Sequence, residues 1–481
     1  MSLVSRRDVL ASLLRTVGAS WLPGMASGAS PASLTVVVGA GLAGLSAAHR
    51  LRQAGINVLL IEQAGLAGGR IRTVRDYFAD GGWVDVGAQS AGSGYTNFLA
   101  MCDAYDVALA PPTPQPASRP DALLRIDGQL YRQSSLKADP TRWPVQLHEH
   151  EYALAPARLL GAYLMPVARK IASPANVLNP DFSVYDGMTL RDFLQREGAS
   201  MGAIELIEQP LNYNSLDSVS ALSALRDATR RLVSQSAVYI AGGNDHLPRA
   251  MAAAMTDHIH YQTSLRRVRQ QDHAVELTLE RMGIEHTLSA EHVILTLPTT
   301  ALRDVDISPT PPVDRTEIIN DLAYTQVAKT HVQTRSRFWD ADGDVSSFYS
   351  DSRFERIFDM SETMGSRRGL LLNWVNGEGL DTFAGLTSRE HAAQVVAWMR
   401  QVWPEHKHEF ETALTTNWGT TYAKGAYAHY APGQLQKWAP KIAKPLGRLH
   451  FAGEHTQLVE PGMEAAVTSG LRAAEEVLAR Q

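Results

Sequence analysis

Two kinds of apolar pattern divide the chain. Short unbroken apolar runs, Thr35-Val-Val-Val38, Asn57-Val-Leu-Leu-Ile61 and Val293-Ile-Leu-Thr-Leu297, have the length and β-branched content of parallel strands buried on both faces. Apolar positions three and four residues apart predict a helix from Leu45 to Ala54. The same spacing predicts mostly helix from 95 to 235, carried by Asp192 to Glu197, Ala203 to Glu208 and Leu216 to Arg231. Strand patterns return at His258 to Gln262, Leu265 to Arg269 and Val275 to Glu280. A further alternating run covers Ala323 to Arg335. A last short strand, Arg448 to Ala452, precedes a helix that opens near Met463, after Pro461-Gly462. Strands alternating with helices predict an α/β fold, in a chain long enough for two or three domains.

The first strand runs straight into Gly39-Ala-Gly41-Leu-Ala43-Gly44, and a helix follows at once. Gly39 permits the tight turn, Gly41 lets backbone approach a pyrophosphate, and Gly44 lets helix and strand pack closely. The helix N-terminus then offers unpaired N–H groups and a positive dipole end to phosphate. The second strand ends in Glu62-Gln63, with Glu62 eighteen residues beyond Gly44, where such a unit places the acid that grips ribose hydroxyls. Strand, turn, helix and acid together predict a dinucleotide site.

Composition adds limits. The chain has 481 residues, 44% hydrophobic and 20% charged, enough for more than one core. The net charge of −5 is spread without a basic block or an acidic tail, so no nucleic-acid partner is indicated. Cys102 is the only cysteine, which excludes an intrachain disulfide, and the scattered histidines make no zinc-type spacing. His258 and His260 fall on one strand edge and are not read as a metal site.

The first thirty residues read apart from the fold. Ser5-Arg6-Arg7-Asp-Val9-Leu10, an apolar run from Ala11 to Met25 and the small residues Ala26 to Ser30 have the order of a twin-arginine export signal. Arg15 and the short length make this run a poor membrane span. The expected location is periplasmic or secreted, by way of the twin-arginine translocase. A basic N-terminal helix of a cytoplasmic enzyme is the alternative.

After Glu62 come Gly68-Gly69-Arg70-Ile-Arg72-Thr73 and Gly82-Trp-Val-Asp85-Val-Gly87-Ala88-Gln89. Further on stand Lys329 with Phe338-Trp339, Trp418-Gly, Gly425-Ala426-Tyr427 and Gly453-Glu454, then Pro461-Gly462-Met463-Glu464. With the N-terminal turn, this series resembles the flavin-containing amine oxidase family. The resemblance implies a Rossmann-like FAD-binding domain, drawn from residues 31–94, 236–319 and 421–481. It also implies a substrate domain of mixed sheet and helices, drawn from 95–235 and 320–420. It implies FAD contacts at Gly39, Gly41, Ala43, Gly44, Glu62, Gln63, Gly69, Arg70, Gly87, Ala88, Gln89, Val268, Trp418, Gly453, Glu454, Gly462 and Met463. Arg70 reaches the diphosphate in relatives, and the Val268 position packs near the adenine; as a bare feature Val268 is a core valine. The helix at Met463 points its positive end at the flavin.

The resemblance also implies the chemistry: oxidation of a C–H next to an amine nitrogen by hydride transfer to flavin N5, with an imine hydrolysed to aldehyde and ammonia. Oxygen, giving hydrogen peroxide, or a periplasmic carrier would take the electrons. Lys329, Tyr427, Gly462 and Trp418 are the candidates for the catalytic site. The lysine holds a water in relatives, and Tyr427 is one wall of an aromatic cage. A surface strand lysine and a core tyrosine are the alternatives for these two. Ala426 stands where some relatives tether flavin through cysteine, so FAD is expected to be non-covalent. Gly462 leaves the second cage wall open. Ser90 cannot replace a carboxylate-binding arginine, and Ala91-Gly-Ser-Gly94 offers no acid. These departures lean toward a primary monoamine. An L-amino-acid or polyamine oxidase, a same-fold desaturase or protoporphyrinogen-type oxidase, and a flavin-carrying scaffold without turnover stay open. A homodimer is compatible with the sequence, which fixes no oligomeric state.

Overall fold

The computed structural model describes residues 34–111, 121–154, 156–233, 236–341, 345–361 and 368–481. The export-signal expectation at 1–30 falls outside them.

Five parallel strands form the first sheet, in the order Leu449–Phe451, His292–Leu295, Leu34–Val38, Asn57–Ile61, Ile259–His260. Alternation along the central strand serves two layers. Val37 points to a core shared with the helices Leu42–Gln53 and Gly462–Leu478. Val36 and Val38 point the other way, to a core shared with Leu265, Val268 and Leu277 of a mixed four-stranded sheet. The two helices cross where a Cβ on Gly470 would run into the Ala43 carbonyl. The first and last helices of the described chain therefore lie together on one face of the sheet.

The second sheet has seven strands, in the order Phe410–Asn417, Val327–Thr334, Gly369–Asn376, Arg356–Asp359, Val345–Ser350, Asp121–Ile126, Gln129–Arg132. The last two form a hairpin that the helical reading of 95–235 did not include. Asp127 (φ 49°) and Gly128 (φ 77°) make a two-residue turn with both central φ positive, the Asp-Gly signature of a tight hairpin. Helix is also shorter than expected before Arg231, since it starts only at Ala221, capped by the Ser220 side chain. Val327–Thr334 is buried at every position rather than alternately. One face meets the core containing Trp398 and Met399 of Ser388–Val402, where Ala328 and Val332 insert. The other face carries Lys329 and His331. Among the described residues no helix is long and apolar enough to cross a membrane.

Candidate functional site

Two glycine loops meet at the end of the parallel sheet. Gly39 has φ +106°, and a Cβ on Gly44 would run into the Gly39 carbonyl, so only glycine lets this helix start against its strand. Gly41 precedes the helix with no side-chain cap and open space around it. Gly68 faces it, donating from its N–H to the Ala40 carbonyl at 2.9 Å. A Cβ on Gly69, φ +56°, would come 3.4 Å from the Gly41 Cα. The result is a cradle of bare backbone beside an uncapped helix start.

Glu62 closes the turn from the next strand. Its carboxylate accepts from the Ala40 N–H at 2.7 Å and from the Ala64 N–H at 2.7 Å. Burial raises its pKa, against the pull of these amides. Gln63 beside it is exposed. Ala43 lies buried on the first helix turn.

Arg70 leaves the second loop and reaches the far end of the chain. It donates to Glu454 Oε1 at 2.8 Å and to the Ala426 carbonyl at 2.8 Å. Burial opposes its charge, and Glu454 together with Tyr324 holds the guanidinium above its ordinary pKa. Glu454 also accepts from the Ala428 N–H at 3.2 Å. Gly453 (φ +127°) turns the chain here and donates to Ser469 Oγ at 2.9 Å, within the last helix. That helix begins at Gly462 without a side-chain cap, with Met463 buried behind it.

Lys329 is 2% exposed. Its Nζ donates to the Gly87 carbonyl at 2.7 Å and to Gln89 Oε1 at 3.4 Å, and sits 4.4 Å from the Trp374 ring centre. Burial pushes its pKa down to about 7, with Asp85 opposing. Burial likewise lifts the Asp85 carboxyl to about 6, against hydrogen bonds from Thr73 and the Asn244 N–H. The surface-lysine alternative is thereby excluded. Gly87 cannot carry a side chain, because a Cβ would strike the Arg70 carbonyl. Ala88 donates to that same carbonyl at 3.1 Å and accepts from Asn244 at 3.0 Å. Trp418 donates through Nε1 to the Val86 carbonyl at 2.8 Å. Segment 86–89 is thus held by the lysine, the tryptophan and the Arg70 loop together.

Strand register supplies residues that the sequence did not single out. Lys329 lies opposite Trp374, and Trp374 opposite Arg356. Arg356 donates to the carbonyls of Pro210 and Leu211 at 2.7 and 3.0 Å and to Asn212 Oδ1 at 3.0 Å. Tyr427, paired with Thr325, donates to the Asn212 carbonyl at 3.0 Å. Gly462 has φ +52°, and a Cβ there would lie 3.6 Å from the Tyr95 hydroxyl. Trp374, Arg356, Asn212 and Tyr95 gave no motif; only pairing and loop return bring them in. Gly470, a glycine inside a predicted helix, was a signal that could have been used. Val268 is fully buried in the core beneath the parallel sheet. Among the described residues no group of three or more histidines, cysteines or acids is placed to hold a metal, and His258 Nδ1 instead faces the Val58 carbonyl at 3.2 Å.

Comparison with known proteins agrees with this geometry. The profile of a family described as flavin containing amine oxidoreductase matches residues 42–478. The L-amino-acid oxidase of Pseudechis australis is 27% identical over 456 residues, covering 92% of this chain and 86% of that protein. Among solved structures, a triple mutant of putrescine oxidase superposes with TM-score 0.77 at 20% identity, covering 93% of this chain and 100% of that one. Cyclohexylamine oxidase from Brevibacterium oxydans superposes with TM-score 0.75 at 19% identity, over 93% and 98% of the two chains. Because the family match runs from the helix after the first glycine turn to the helix that ends the chain, the protein belongs to the flavin-containing amine oxidoreductases, FAD enzymes that act on amines or amino acids.

Proposed function

We propose that the protein oxidises a primary amine at the carbon bearing nitrogen. The buried Lys329, held on the Gly87 carbonyl beside Trp374, carries this reading. A lysine placed there costs desolvation that no ion pair among the described residues repays, so its site is kept for chemistry rather than for stability. When bound, FAD accepts hydride from the carbon next to the amine nitrogen, and water hydrolyses the resulting imine to aldehyde and ammonia. The backbone cradle of Gly41 and Gly69, with Arg70, would hold the diphosphate, and Glu62 the ribose. Val268 would lie toward the adenine. The start of the last helix, at Gly462 and Met463, would face the flavin ring.

This chain's own groups then orient and deprotonate. Lys329 Nζ, near pKa 7, takes or releases a proton at neutral pH and fixes a water by the donors it does not spend on Gly87. The Tyr427 ring is fixed by its bond to Asn212 and offers a π face to an amine. Ala426 has no atom able to bond flavin, so FAD is held non-covalently, and acid precipitation should release it.

An α-amino acid is the second reading. Arg356 Nε is buried with no hydrogen-bond partner among the described residues, and the guanidinium lies 5.5 Å from the Trp374 ring that also flanks Lys329. A carboxylate partner would suit it. Paired assays of L-phenylalanine and phenethylamine, and the corresponding pairs, separate the two: flavin bleaching by the amines alone supports the first reading, and bleaching by the acids alone supports the second. Export by the twin-arginine route is proposed from Ser5-Arg6-Arg7. The electron acceptor would then be oxygen or a periplasmic carrier.

A further inference from the structure

The last helix opens on Gly462, uncapped and with φ +52°, a backbone conformation that disfavours any side chain. A wall at this position must therefore come from another residue. Outside the chain neighbours of Gly462 and its own helix turn, one heavy atom among the described residues would come within 4 Å of a Cβ there: the Tyr95 hydroxyl, at 3.6 Å. Tyr95 is half-buried. Burial raises the pKa of its phenol, Arg230 opposes, and Glu464 and Glu460 add, so the hydroxyl stays protonated among these three charges.

Tyr95 is fixed from both sides. Before it, Ala91–Gly92 pairs antiparallel with Ala237–Val238, and the Ser93 N–H donates to the Ser236 carbonyl at 2.9 Å. After it begins the helix Thr96–Ala104, whose first turn is held by Glu464 of the last helix. The Glu464 carboxylate, 2% exposed, accepts from the Asn97 N–H at 3.0 Å, from Asn97 Nδ2 at 3.0 Å and from the Phe98 N–H at 2.8 Å. A carboxylate in the first turn of one helix thus grips the start of the other and sets how far Tyr95 stands from Gly462. The ring packs edge-on to Phe98, with centroids 6.4 Å apart.

A bonded frame joins this position to Tyr427. Arg230 donates to the carbonyls of Leu458, Val459 and Glu460 at 3.0, 2.9 and 3.2 Å, on the loop that leads into Gly462. It also donates to Asp227 at 2.6 Å, and Asp227 accepts from the Tyr213 hydroxyl at 2.7 Å. Tyr213 follows Asn212, whose carbonyl accepts from Tyr427. Tyr427 stands at one end of this frame, and Gly462 with Tyr95 at the other. We infer that Tyr95 is a specificity-determining residue of the proposed amine site: it closes the space that Gly462 leaves open, so compact primary amines fit and broad polycyclic ones do not. The inference rests on the amine reading of that site.

The test uses two amines whose nitrogen-bearing carbon has no hydrogen, so neither can be oxidised: tert-butylamine, which is compact, and 1-aminoadamantane, which is broad. Each is titrated into the oxidised, FAD-loaded protein, and its dissociation constant is read from the flavin difference spectrum. Wild type is compared with Tyr95→Ala and Tyr95→Leu, which draw the side chain back from Gly462, and with Tyr95→Phe, which keeps the ring. Flavin content per chain and melting curves confirm that each is folded, and Tyr95→Leu carries the test if Tyr95→Ala loses its flavin. The expected result is that 1-aminoadamantane binds about tenfold more tightly to the Ala and Leu variants than to wild type, with Tyr95→Phe between. Tert-butylamine should change by less than about twofold. A ratio of the two affinities that stays at its wild-type value in the Ala and Leu variants overturns the inference, and so does absence of binding by both amines. The amine reading is judged separately, by whether oxidisable amines bleach the flavin of the wild-type protein.

Discussion

Arg70 and Glu454 stand 384 residues apart in sequence and 2.8 Å apart in space. The arginine follows the second glycine loop, and the carboxylate follows the last strand of the parallel sheet. Their contact joins the nucleotide cradle to the turn that launches the final helix. Both side chains are mostly buried, so removing one partner strands the other's charge.

Glu454→Gln should therefore lower FAD retention and cost roughly 1–3 kcal/mol of stability, since the pair is partly open to solvent. Arg70→Gln/Glu454→Gln should cost less stability than the sum of the single changes, because neither leaves a lone charge. Melting curves and flavin content per chain check both. Additive losses would mean that the two residues act independently.

Lys329→Met should leave FAD bound and slow either flavin reduction or reoxidation, read by stopped flow. A pH signature accompanies it. The folded lysine titrates near 7, against an ordinary 10.5. Between those values the unfolded chain holds a proton that the folded chain lacks, so this group makes stability rise with pH across that window. The wild-type melting temperature should gain on that of Lys329→Met from pH 7 to pH 10. A constant difference would contradict the buried, depressed lysine.

Two glycines should respond differently to alanine. At Gly44 the added methyl meets a fixed carbonyl, so Gly44→Ala should abolish FAD loading and destabilise by roughly 1–3 kcal/mol. At Gly462 the nearest atom is 3.6 Å away, and the cost comes from φ +52°. Gly462→Ala should lose about 1 kcal/mol, keep its flavin and turn over bulky amines more slowly than small ones. Loss of FAD in Gly462→Ala would contradict this.

Replacing Arg6 and Arg7 by lysine should hold the protein in the cytoplasm, as measured by fractionation. Normal export would refute the signal.

Much of this was legible in the sequence because the dinucleotide half is local. Gly39 to Gly44, the strand Asn57–Ile61 and Glu62 lie within one short unit, where spacing alone sets geometry. Lys329 could be singled out by resemblance, while its burial became visible only once Gly87 and Trp374 were placed around it. Trp374 and Arg356 had no local signature, since strand register across the second sheet decides that they neighbour the lysine. The Asp127-Gly128 turn is a legible hairpin signal, but the strands it joins are only six and four residues long. Tyr95, brought near Gly462 by the docking of helix Thr96–Ala104 on the last helix, belongs to tertiary packing alone.

The most direct measurement is anaerobic mixing of the oxidised, FAD-loaded protein with primary monoamines, diamines and L-amino acids, following the flavin absorbance. Full bleaching by at least one primary monoamine is expected. Protein that keeps its yellow oxidised spectrum with every compound would contradict it.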